Sequence, residues 1–340
     1  METAVFEGWH HRDENMPRGS LARGWYAAAR ASSITAVTGG RGPREPPAVT
    51  HLAELLVLTL TRGSLYALIA VGFALVFGTG RILNLFHGGF FLLGAYAAFF
   101  LSRLPPLPLG GAWRQVLLTL LAAGAVGVFG FAYYWGFLRR YLSRPVHLMV
   151  IGLASNLLVA LLFRAFYGTR AAYVPPIVPG ILRIGSIQVL GQEWIIVLAA
   201  AVLFPALSWV LRHTRIGGAI RAVAEDPKGA SLVGIRPDGV LGTTVALAAV
   251  LAGLAGALAA PVRVVTPDLW TFGLLKSFTI VILGGIGSLR GTLLTAYALG
   301  AVEIACISLF GEAQAEFLAV LLALAALVVR PRGALHERAG

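Results

Sequence analysis

The chain has 340 residues, of which 58% are hydrophobic and 12% charged; its formal charge is +12 and its mean hydropathy +0.81. Lipid is the main solvent for such a composition, which defines a polytopic integral membrane protein and excludes an ordinary soluble domain. Most arginines flank apolar runs and no basic stretch is interleaved with stacking aromatics, so the positive charge orients helices and does not bind nucleic acid.

Residues 1–50 form a separate zone with six arginines, five acids, His10 and His11, and the run GGRGPREPP. It reads as a disordered tail that lacks the apolar core of a signal peptide, and Met16 within it offers an alternative start. Apolar segments follow at 53–77, 83–101, 115–138, 147–166, 193–211, 240–260, 272–286, 292–309 and 315–329. Runs of about 20 residues suit spanning helices and not barrel strands, so the expected fold is an all-α membrane bundle. The seventh run is short and ends in GGIGSLRG, the mark of a half-helix or re-entrant element, which leaves eight or nine crossings.

Arg139, Arg140 and Arg144 follow the third segment; Arg212, Arg215, Arg221, Lys228 and Arg236 follow the fifth. Both loops are therefore cytoplasmic, and the aromatic, proline-rich YVPPIVPG at 173–180 is outside. Nine crossings then put the arginine-bearing tail outside, a conflict that a break of the first helix at residues 61–63 would remove.

The chain has no phosphate-cradling G-x-x-x-x-G-K-[ST], no H-E-x-x-H, and no G-x-S-x-G between a strand and a helix, so catalysis is not expected of it. The single cysteine, Cys306, excludes an internal disulfide and a cysteine-based metal cluster, and no metal site or cofactor is expected.

The polar residues of the apolar runs are candidates for a translocation path. Asn84 and His87 open the second segment, as an N-cap and a packed imidazole or as polar groups on the path. Gly88, Gly89 and Gly94 permit close helix crossings. Ser155 and Asn156 line the path or bond across helices. Charge at membrane depth is costly, which singles out Lys276 and Glu303. Lys276 is expected to snorkel to the outer surface unless it lines the path, and Glu303 to pair with another helix unless it relays protons. Arg164 and Arg263 are expected to snorkel.

The loop 212–239, RHTRIGGAIRAVAEDPKGASLVGIRPDG, is the one sizeable polar interruption late in the chain. It reads as a short helix broken at Asp226-Pro227, then a turn burying Ala230, Leu232, Val233 and Ile235 on one side. Such an amphipathic element, flanked by glycines, suits docking to a soluble cytoplasmic partner, with Arg221, Glu225 and Asp226 at the rim.

Three stretches in this order, GSLYALIAVGFALVFGTGRILNLFHGGFFLLGAY at 63–96, RAVAEDPKGASLVGI at 221–235 and LLKSFTIVILGGIGSLRGTLLTAYALGAVE at 274–303, resemble the permease subunits of high-affinity branched-chain amino acid ABC importers. The resemblance covers about residues 52–335 and defines 51–335 as a transmembrane permease domain. The family's N-F-A-H-G reads here Asn84-Leu85-Phe86-His87-Gly88, with Phe86 in place of the alanine, a departure that bears on selectivity.

The resemblance implies a second permease subunit, two cytoplasmic ABC ATPase subunits and an extracytoplasmic substrate-binding protein. It implies that 212–239 carries the coupling helix, with Arg221, Glu225, Asp226, Gly229 and Gly234 at the ATPase contact. It also makes the turn containing Gly284, Gly285, Gly287 and Gly291 a candidate hinge. The implied cargo is leucine, isoleucine or valine, with another amino acid, an amide or urea as alternatives. An ion-coupled carrier using Glu303, or a membrane scaffold with no path, are readings from other classes.

Overall fold

The computed structural model describes residues 48–105, 110–184, 187–285 and 287–311, with 314, 315, 318, 321 and 325 beyond them. The expected tail, residues 1–50, lies almost wholly outside the described residues, as does the segment 315–329. The helices are α1 (Ala48–Gly80), α2 (His87–Ser102), α3 (Gly111–Gly136), α4 (Pro145–Tyr167), α5 (Gly191–His213), α6 (Arg215–Glu225), α7 (Pro227–Leu232), α8 (Pro237–Ala259), α9 (Leu269–Gly284) and α10 (Leu289–Phe310). Among the described residues, six helices are long and apolar enough to cross a membrane, while α2 and α9 are shorter apolar helices. This is a polytopic helical bundle.

α1, α2 and α8 form its interior. Small residues let their backbones approach, the principal packing device available where lipid is as apolar as any side chain. Gly94 of α2 lies against Gly253 of α8, so closely that a Cβ would overlap the Gly253 backbone. Tyr66, Ala67, Ile69 and Ala70 of α1 are fully buried. α4 and α5 are peripheral and turn Leu157, Leu161, Leu198 and Val202 outward, as helices apolar on all sides do when one side faces lipid.

α1 runs unbroken through residues 61–63, which corrects the expected break. Gly63 marks the place where the ring of Tyr297 on α10 packs against α1. α1 ends at Arg81, a non-glycine residue at φ 51°, and the chain stays irregular until α2 begins at His87.

Ion pairs tie the two ends of the bundle. At one end Arg139, in the 3₁₀ turn Leu138–Tyr141, lies 3.0 Å from Asp238 at the start of α8. The two arginine-rich loops therefore share an end, as the charge rule requires. At the other end Arg164 of α4 contacts Asp268, which precedes α9, at 2.5 and 2.7 Å. Arg164 is thus paired as well as half-exposed. The same end carries an antiparallel hairpin, β1 (Ile181–Ile184) with β2 (Ile187–Leu190), a small departure from an all-α fold.

Candidate functional site

A charged cluster in the bundle interior is built by α1, α9 and α10. Arg62 and Tyr66 are one helical turn apart on α1 and share a face. Phe272 and Lys276 do the same on α9. Glu303 of α10 stands between them: its Oε2 accepts from Lys276 Nζ at 2.6 Å and from Tyr66 OH at 2.6 Å, and its Oε1 from Arg62 at 3.1 Å. Glu303 therefore makes the interhelical ion pair expected of a lone membrane acid, and makes it twice. Three donors on one carboxylate offset the cost of removing these charges from water.

Lys276 does not snorkel. Only 2% exposed, it sits 4.9 Å from the Tyr66 ring centre and 5.9 Å from that of Phe272. α9 begins at Leu269, three residues before the expected start at 272, so Lys276 lies about 10 Å along the helix and faces inward. Arg263, expected to snorkel, instead stacks 3.7 Å from the centre of the Phe272 ring.

Beside this cluster is a cavity of about 430 Å³. Its polar lining includes Thr61, Arg62, Glu193, Arg263 and Glu303, and its aliphatic lining includes Leu65, Ile196, Val262, Val264 and Ile307. These residues come from α1, the start of α5, the turn after α8 and the outer part of α10, with Leu269 at the start of α9, so the cavity lies at the end opposite α6 and α7. Among the described residues, no three His, Cys, Asp or Glu side chains are grouped as a metal ion would need.

The remaining path candidates gather elsewhere, around the start of α2. Asn84 does not cap the helix: its Oδ1 accepts from Phe86 N–H at 3.1 Å in an Asx turn, and α2 begins after Phe86. His87 is buried, with Nε2 2.8 Å from the Ile69 carbonyl of α1. Asn156 donates to the Leu85 carbonyl at 2.7 Å, and Ser155 accepts from Tyr133 OH at 3.0 Å. Phe86 is fully buried, its ring centre 4.6 Å from that of Tyr133 and 5.0 Å from that of Phe90. The phenylalanine that departs from the family pattern fills an aromatic pocket between α2 and α3 and does not line the cavity.

At the opposite end, α6 and α7 break at Asp226 as expected. Thr214 Oγ1 accepts from Gly217 N–H to cap α6, and Asp226 Oδ1 accepts from Lys228 N–H at 3.0 Å to cap α7. Arg221 donates to the Leu211 carbonyl. Ile220, Val223 and Ala230 face the bundle, but Leu232 is 88% and Val233 76% exposed, which corrects the expectation that both are buried. The cause is the way α7 stops. Gly234 takes φ 87°, Ile235 N–H bonds the Ala230 carbonyl and Gly234 N–H that of Ser231, a Schellman ending that turns Leu232 and Val233 outward. Glu225 and Asp226 are exposed beside them, and Gly229 leaves room for the Asp226 carboxylate.

The four candidate hinge glycines form the corner between α9 and α10. Gly284 and Gly291 approach so closely that a Cβ on Gly291 would overlap the Gly284 carbonyl, while Gly285 and Gly287 have φ 90° and 82°.

Arg62, Tyr66, Glu193 and Arg263 were not singled out from sequence as functional. A charge inside an apolar run was the available signal for Arg62.

A bundle of spanning helices with a polar cavity at one end and a short exposed helical pair at the other defines a multi-pass membrane permease. Residues 55–329 match the family described as branched-chain amino acid transport system / permease component, and the chain belongs to this family. It is 31% identical over 304 residues to the high-affinity branched-chain amino acid transport system permease protein BraD of Pseudomonas aeruginosa, covering 85% of this chain and 97% of that one. It is 31% identical over 291 residues to LivH of Escherichia coli K12, a protein of the same description, covering 81% and 92%. A probable branched-chain amino acid transport permease protein LivH of Methanocaldococcus jannaschii is 24% identical over 296 residues, covering 83% and 92%. No solved structure matches the chain significantly. The chain is thus a membrane-spanning permease subunit of the cell membrane.

Proposed function

We propose that this chain forms half of the translocation path of an ATP-binding-cassette importer for leucine, isoleucine and valine. A second permease subunit completes the path, two cytoplasmic ATPase subunits hydrolyse the ATP, and an extracytoplasmic binding protein delivers the cargo. The observation that carries this reading is the exposed α6–α7 pair. Its two helices are capped by Thr214 and Asp226 and seated on the bundle through Ile220 and Ala230, so it can transmit force, and the side chains of its Leu232–Val233 tip are exposed. The resemblance of the 221–235 run to the importer permeases and the transport named for the relatives support the same reading.

Arg221, Glu225 and Asp226 hold the ATPase contact in this account, and Gly229 and Gly234 shape it. Lys276 and Glu303 belong to the outer path wall, with the corner at Gly284, Gly285, Gly287 and Gly291 as the hinge. Asn84, His87, Ser155 and Asn156 fix the start of α2 beside the path. ATP state biases the bundle only if the ATPases hold α6–α7 differently in its two arrangements.

ATP hydrolysis by the reconstituted complex tests the reading. Binding protein loaded with leucine, isoleucine or valine is expected to stimulate hydrolysis. Stimulation by an amide or urea and by none of the three would contradict the cargo, and no response from any loaded form would contradict the importer.

A further inference from the structure

The 430 Å³ cavity falls within the ~300–1,000 Å³ range of small-molecule sites, and its chemistry is divided. One part of the lining carries both signs of charge, in Glu193, Arg62 and Arg263; another is aliphatic, in Leu65, Ile196, Val262 and Ile307. Within the charged part the groups differ in what they already hold. Glu303 already accepts from three donors, Lys276, Tyr66 and Arg62. Arg62 gives Glu303 one of the five N–H donors in its fork and also interacts with Tyr66, and its side chain is 30% exposed. Glu193 has neither a hydrogen bond nor an ion pair among the described residues, although the charge of Arg62 acts on it across the cavity.

A carboxylate in the first turn of α5 is favoured by the helix dipole. That accounts for an acid at Glu193 but not for its sharing a cavity with two guanidinium groups and aliphatic walls.

We infer that this cavity is a transient binding site for the free amino acid at the outer end of the path, where Glu193 receives the α-ammonium group, Arg62 the α-carboxylate, and the aliphatic lining the side chain. The inference rests on the reading of the chain as an amino acid permease and adds to it the residues that recognise the zwitterion. An ammonium and a carboxylate on one carbon need an acceptor and a donor of opposite charge within one small cavity, which Glu193 and Arg62 supply. Because Arg62 is also bonded to Glu303, a bound carboxylate touches the bridge that joins α1, α9 and α10. Cargo would therefore be sensed where the helices of the outer end are tied together.

The test uses the assembled permease–ATPase complex in nanodiscs without binding protein, so that only the membrane site is read. Saturation-transfer NMR at millimolar concentration compares leucine with 4-methylpentanoate, which lacks the ammonium, and 3-methylbutylamine, which lacks the carboxylate. Wild-type complex is expected to prefer leucine to either fragment by about tenfold, the scale of one charge-assisted hydrogen bond. Glu193→Gln should remove the preference over 4-methylpentanoate, while Glu193→Asp retains most of it, both in complexes of verified subunit composition. Equal binding of leucine and 4-methylpentanoate by the wild type, or an unchanged preference in Glu193→Gln, overturns the inference. If another α-amino acid binds with this Glu193 dependence and leucine does not, the site stands and the branched-chain cargo fails.

Discussion

Lys276 and Glu303 meet 2.6 Å apart inside the bundle, one on α9 and the other on α10, 27 residues away in the chain. Their bond joins the two helices across the corner that Gly284 and Gly291 close. It also draws in α1 through Tyr66 and Arg62, so three helices share one carboxylate.

Breaking this pair from one side leaves a buried charge short of its partner. Lys276→Met is expected to destabilise the protein by about 3–5 kcal/mol, and Glu303→Leu by a similar amount. The double variant should recover part of the loss, because neither buried charge is then left facing the other's vacancy. Thermal unfolding of the purified protein in detergent checks this; a double variant no more stable than the worse single one would show that the pair is not the unit.

The cap that Asp226 gives α7 is separable from the ATPase contact proposed for it. Asp226→Ala removes the α7 cap at a cost of about 1 kcal/mol and should reduce ATP-driven transport while leaving membrane insertion intact. Asp226→Asn keeps a cap acceptor and removes the charge. If Asn restores transport, the cap matters; if it fails like Ala, the carboxylate itself contacts the ATPase. Transport by Asp226→Ala equal to wild type would remove the coupling role.

The tip of α7 is predicted to be dispensable for folding. Leu232→Ser with Val233→Ser should change the stability of the isolated chain by no more than about 0.5 kcal/mol, since both side chains are exposed. The same variant should lose co-purification with the ATPases. Full retention of the ATPases would place the contact elsewhere.

Asn156 holds the irregular stretch before α2 by donating to the Leu85 carbonyl. Asn156→Ala leaves that part-buried carbonyl without its donor and should cost about 1 kcal/mol, read as a lower melting temperature. Asn156→Asp should be at least as harmful, because it removes the donor and adds a charge.

Composition and run length made the bundle legible, because lipid admits few structures and helices of about 20 apolar residues are the simplest. The break at Asp226 was legible for a local reason: proline cannot continue a helix and Asp caps the next one. Arg62 was hidden by its neighbours, since Thr61-Arg62-Gly63 reads as a turn. Gly63 in fact serves the packing of Tyr297, a contact 234 residues away that no local pattern reports. Lys276 was misplaced by the start of one helix, since three residues decide whether a lysine reaches the surface or the interior. The outward tip Leu232–Val233 depended on the left-handed Gly234, whose effect on the preceding turn becomes visible only with the backbone. The hairpin at 181–190 did leave a signal, in Gly185-Ser186 between two short apolar runs, the composition of a tight hairpin turn.

The most direct test of the account is uptake of labelled leucine into vesicles that hold this chain, its partner permease and the ATPases, with and without internal ATP and external binding protein. The account predicts uptake that needs both and is indifferent to an imposed proton gradient. Uptake that proceeds without ATP, follows the proton gradient and vanishes in Glu303→Gln would contradict it and make the chain an ion-coupled carrier.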